Sequence, residues 1–141
     1  FEPMASILQK EKSFYILKFL GNECEKVSYT GYCASKEYIE ENPEIIQSFT
    51  NAIYKAQIWV ENHSSEEVAK LLLPYFVDCS EEILEKCIER YKSSDVWNKS
   101  PLIEKSQFEL LEDIMLDAGE LKNKINFEDV VENKFANNSL K

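Results

Sequence analysis

Few residues in this chain have types and spacings that could do chemistry. His63 is the single histidine and lies between the polar residues Asn62 and Ser64. A Ser-His-Asp order, an HExxH helix, a CxxC pair and a glycine-rich phosphate loop are all missing. Cys24, Cys33, Cys79 and Cys87 stand nine, forty-six and eight residues apart, which matches no zinc template and, if they pair, allows three pairings. Cys87 falls on the apolar side of a predicted helix and Cys33 in a strand-like run, so buried free thiols are expected. The acidic pairs Glu40-Glu41, Glu66-Glu67 and Glu81-Glu82 fall in terminal turns of predicted helices and need no metal to explain them. The chemistry is thin, and neither a metal nor a cofactor is expected. Two places look site-like. One is Glu2, between Phe1 and Pro3; the other is Tyr29, Thr30, Gly31 and Tyr32. Aromatic walls around one carboxylate suit a small heteroaromatic or cationic ligand, although ordinary strand residues would give the same spacing.

The elements that would position these residues follow from composition and pattern. A chain of 141 residues is about one domain, and 44% hydrophobic residues can build a core. Only three glycines and four prolines favour helices over a turn-rich β architecture. A formal charge of −10 argues against a nucleic-acid partner, whose affinity comes from Lys and Arg displacing counterions. No window is long and apolar enough to span a membrane, and no signal-peptide pattern is visible. The opening Phe1-Glu2-Pro3 lacks an initiator Met, which predicts a processed piece of something longer.

The dominant element is a helix from Asn42-Pro43 to about Asn62, with Ile45, Ile46, Phe49, Ala52, Ile53, Ala56, Trp59 and Val60 on one face. Ser64 and Glu67 form a capping box for the next helix, which Pro74 ends. Ser80 caps a third, with Ile83, Leu84, Cys87, Ile88 and Tyr91 on its inner side and Arg90 and Lys92 in its last turn. A fourth runs from about Pro101 or Glu104 to Ala118, with Gly119 as its C-cap, and a short last helix from Asn126 through Phe135 precedes a polar tail. A short helical turn follows Pro3, and Ser35 caps another. Phe14–Leu20, FYILKFL, reads as a strand covered on both faces, and Val27–Ala34 as a second, with Gly31 allowing close approach. Two strands are too few to close a sheet, so self-association through unpaired strands is expected of the chain alone.

The runs FEPMAS, SYTGYCASKEYIEENPEIIQSFTNAIYKAQIWV, LLLPYFVDCSEEILEKCIERYKSSDVW and IMLDAGELKNKINFEDVVENKFA carry a resemblance over nearly the whole chain. They resemble the C-terminal part of the solute-binding proteins of ABC importers, of the nitrate/sulfonate/taurine and thiamine-pyrimidine types. The resemblance implies an α/β, helix-dominated fold: the C-terminal portion of a type II periplasmic-binding fold, with two or so strands and five to six helices. It implies residues 1–34 as the end of a second lobe with crossover strands, 35–136 as a helical portion returning to the first lobe, and 137–141 as a polar tail. Glu2 matches the acidic position near the interlobe cleft, and Tyr29, Thr30 and Gly31 match the crossover strand. It further implies an exported, periplasmic or lipid-anchored cell-surface protein without catalysis, whose partners are a small solute and a membrane permease. A pyrimidine-forming enzyme of thiamine biosynthesis shares that fold but needs a Cys- and His-rich iron motif, which this sequence lacks. A free-standing helical interaction domain is the third reading, and it requires a sealed surface.

Overall fold

A computed structural model of the protein describes residues 1–12 and 14–141. Its regular elements are helical: α1 (Met4–Lys10), α2 (Lys36–Glu41), α3 (Pro43–Asn62), α4 (Ser65–Leu72), α5 (Glu81–Ser93), α6 (Lys105–Asp117), α7 (Phe127–Val130) and α8 (Lys134–Ser139). Single 3-10 turns lie at Leu20–Asn22 and Leu73–Tyr75. The chain forms two compact units, Phe1–Cys24 with Ala56–Lys99 and Glu25–Lys55 with Ser100–Lys141.

The first unit is built on α4 and α5. Ser64 Oγ accepts from the Glu67 amide at 3.2 Å while the Glu67 carboxylate accepts from the Ser64 amide at 2.8 Å, so both orphan donors of the α4 start are satisfied. Ser80 Oγ accepts from the Ile83 amide at 3.4 Å and starts α5 in the same manner. The two helices bury Val68, Ala69, Leu84 and Ile88 against each other, with Trp59, Val60, Leu72, Leu73 and Cys79 packed around them. Pro74 turns the end of α4 into a 3-10 turn, because it cannot extend the α-helical ladder. Lys92 reaches back from α5 to the end of α3, donating to the carbonyls of Val60 at 2.8 Å and His63 at 2.6 Å. It thereby satisfies acceptors that a helix end leaves open. Trp97 returns onto the unit and meets Tyr91 edge-on, with centroids 5.6 Å apart.

In the second unit, Ser35 Oγ accepts from the Tyr38 amide at 3.2 Å and starts α2. Pro43 takes the first position of α3, but the Asn42 side chain turns back to donate to the Tyr38 carbonyl at 3.1 Å. Asn42 therefore closes α2 instead of capping α3 with its side chain. Gly119 follows α6 at φ 75°, the left-handed position that favours glycine after a helix. The expected last helix from Asn126 to Phe135 is broken into α7 and α8. Between them Asn133 bonds both backbone groups of Ile103, accepting from its amide at 3.1 Å and donating to its carbonyl at 2.9 Å. Phe135 and Ala136 of α8 are buried, and the helix extends into the stretch expected to be a polar tail. Gln47 Nε2 donates to the Phe135 carbonyl at 3.0 Å, and Asn138 Nδ2 donates to Gln47 Oε1 at 3.1 Å.

The expected sheet does not form. Among the described residues there is no strand, so the α/β class and the type II periplasmic-binding architecture with two or so strands are both overturned. Phe14–Phe19 is irregular chain that ends in the Leu20–Asn22 turn, with Leu17 92% exposed. Val27–Ala34 is irregular as well, and its Ser28 amide donates to the Gln107 carbonyl at 3.3 Å. Strand propensity acts by packing a side chain on a neighbouring strand, and neither segment has such a neighbour among the described residues. Ile45, Phe49 and Ile58 of the long helix are exposed too, so its apolar face is wider than the surface that covers it.

Candidate functional site

A densely bonded polar cluster surrounds Glu2 in the first unit. Pro3 directs the chain into α1, and the Glu2 carboxylate folds over the first turn so that Oε2 accepts from the Ser6 amide at 3.0 Å. Arg90, from the last turn of α5, pairs with Oε1. Its Nη1 also donates to Ser6 Oγ at 3.0 Å, and its Nη2 to Gln9 Oε1 at 3.1 Å. The Cys87 thiol donates to Glu2 Oε2 at 3.4 Å, and the Glu2 amide donates to the Tyr91 hydroxyl at 3.0 Å. The Glu2 side chain is 5% exposed and the Arg90 side chain 23%. This carboxylate fastens α1 to α5 and is spent on partners within the chain. Burial pushes the Cys87 thiol and the Tyr91 phenol above their ordinary pKa values, so both stay protonated near neutral pH and serve as hydrogen-bonding groups.

Tyr29, Thr30, Gly31 and Tyr32 lie in the second unit on the irregular Val27–Ala34 segment, and all four are exposed. The Tyr32 ring meets Phe49 of α3 edge-on, with centroids 4.9 Å apart and an interplanar angle of 80°. A Cβ at Gly31 would meet only Ile103, at 3.9 Å, so glycine is not demanded there by a close approach. Glu2 thus belongs to one unit and the aromatic residues to the other.

The four cysteines are free; Cys87 is buried, Cys79 is half-buried, and Cys24 and Cys33 are exposed. The expectation of burial therefore fails for Cys33, because the strand that would have covered it is absent. His63 stacks on Trp59 with centroids 4.1 Å apart, and its Nδ1 lies 2.7 Å from the Trp59 carbonyl. That carbonyl can only accept, so Nδ1 carries the proton and the ring closes the end of α3. Among the described residues no group of three or more His, Cys, Asp or Glu side chains is placed to hold a metal ion.

Sequence reasoning passed over Arg90, Ser6 and Tyr91 as partners of Glu2. Arg90 reads as a cation complementing the helix dipole, and its other relations depend on distant contacts. The one local signal is spacing: Cys87, Arg90 and Tyr91 are three and four residues apart on α5 and share a face.

No family model and no solved structure matches the chain. A protein of Bacillus subtilis (strain 168) described as "Putative binding protein YtlA" is 37% identical to it over 136 residues. The match takes in 96% of this chain and 41% of the relative, so the chain spans well under half of the relative's length.

Proposed function

We propose that this chain is part of a solute-binding protein, the component of an ABC importer that captures a small solute and delivers it to a membrane permease, without catalysis. The observation that carries the reading is the relative described as a binding protein, whose likeness extends over 96% of the chain. That likeness and the motifs named above support this role. The solute classes it favours are a thiamine pyrimidine precursor, a sulfonate such as taurine, or nitrate, and the location it favours is exported, at the cell surface or in the periplasm. Tyr32, which meets Phe49, and the exposed Tyr29 are the candidate contacts for a flat ring, since aromatic faces bind planar or cationic groups. Glu2 enters as a positioning residue for α1. Its carboxylate would reach a ligand only by leaving Arg90.

Calorimetric titration of the chain, with the B. subtilis relative in parallel, against hydroxymethylpyrimidine, taurine, an alkanesulfonate and nitrate tests the proposal. Saturable binding of one solute by the relative, weakened in the chain by Tyr32→Ala, is the expected result. Silence of both proteins toward all four solutes would remove the transport reading.

A further inference from the structure

Between α1 and α5 of the first unit lies a depression of about 440 Å³ lined by Ser6, Gln9, Lys10, Ile83 and Lys86. Its volume is in the range of small-molecule sites, roughly 300–1,000 Å³. What distinguishes it is the direction in which its polar groups are turned. Arg90 donates to Ser6 Oγ at 3.0 Å and to Gln9 Oε1 at 3.1 Å, so the oxygens of both side chains face the guanidinium. The Ser6 side chain also hydrogen-bonds Cys87, which leaves the Gln9 amide protons as the donors able to point elsewhere. Lys10 and Lys86 add two ammonium groups. The lining side chains thus offer donors and positive charge, with the Ile83 side chain as an apolar floor.

The acceptor nearest these lysines is Glu82, whose two oxygens take Lys10 at 3.0 Å and Lys86 at 2.8 Å. Each ammonium spends one of its three N–H groups on it. The hydrogen bonds from Lys86 and then Lys10 push the Glu82 carboxyl down to about 2, as expected for an anion clasped by two cations. A carboxylate bridging the two lysines shows that both ammoniums can serve one oxyanion.

We infer that this depression binds the oxyanion end of a small organic anion, with Lys10 and Lys86 as its electrostatic clamp, Gln9 as a hydrogen-bond donor, and Ile83 against its apolar body. The shared chemistry is a carboxylate or phosphate on a compact apolar group. The inference is independent of the solute reading above, because it needs only the first unit.

Titration of the 141-residue chain with phenyl phosphate and with benzoate at low salt, followed by NMR, tests it. Saturable binding of at least one of them is expected, with shifts centred on Ser6, Gln9 and Ile83. Lys10→Gln and Lys86→Gln each weaken it roughly fivefold, and Glu82→Gln, which releases both lysines, tightens it by a similar factor. All three sites are exposed, so the variants fold as the parent does. Lys105→Gln in the second unit makes the same charge change as the lysine variants and leaves binding unaltered. Absence of saturable binding by either anion, equal weakening by Lys105→Gln, or equal binding of uncharged phenol overturns the inference.

Discussion

A carboxylate sealed from water and deprived of its cation is among the costliest defects a small protein can carry, and Glu2 stands one substitution from that state. Its side chain is 5% exposed, and Arg90 supplies the compensating charge along with bonds to Ser6 and Gln9. Arg90→Met is expected to lower unfolding free energy by about 3 kcal/mol, the low end for breaking a buried pair, because the guanidinium is partly wetted. Adding Glu2→Gln to that variant removes the stranded charge and restores part of the loss. Urea unfolding of the two single variants and the double variant measures this coupling. Strictly additive losses would show that the pair does not hold α1 to α5. The same residue shows where sequence reasoning stops: an acidic residue beside Pro3 reads equally well as a ligand contact or a fastening, and the deciding partner lies 88 positions away.

Elements with a local cause were legible, and those needing a distant partner were not. The start of α4 is written in Ser64 and Glu67, that of α5 in Ser80, and the close of α6 in Gly119; each works within four residues. The break between α7 and α8 depends on Asn133 meeting Ile103, thirty residues earlier, and no periodicity announces it. The strands failed for the same reason, because Phe14–Leu20 has the composition of a covered strand while coverage is a property of neighbours. The α4 start gives a quantitative check: Ser64→Ala costs about 1 kcal/mol, measured by thermal or urea unfolding. The Ser64 amide holds the Glu67 carboxylate below its ordinary value of 4.5, with the Ser64 hydroxyl second. A lowered folded-state pKa contributes stability that is present above the unfolded value and is lost as pH falls through the folded one. The difference between parent and Ser64→Ala should accordingly shrink on acidification below 4.5, and a difference constant down to pH 2 would assign the cap to the hydroxyl alone.

For the molecule as a whole, the governing fact is how much apolar surface meets water. Phe14, Tyr15, Leu17 and Leu20 are all exposed within seven residues, and this is not the sealed surface that a free-standing interaction domain requires. Hydrophobic attraction then works against the charge of −10, which keeps copies apart at low ionic strength. Salt screens the repulsion and leaves the attraction nearly intact, so association should rise with ionic strength. In sedimentation experiments the chain is expected to gain mass with concentration at high salt, and to enhance the fluorescence of an apolar dye. Tyr15→Ser with Leu17→Ser should reduce both effects severalfold while helical circular dichroism stays unchanged, since neither residue belongs to a helix. Dye binding and sedimentation indifferent to those changes would place the sticky surface elsewhere, with the exposed Ile45 and Phe49 of α3 as the next residues to alter.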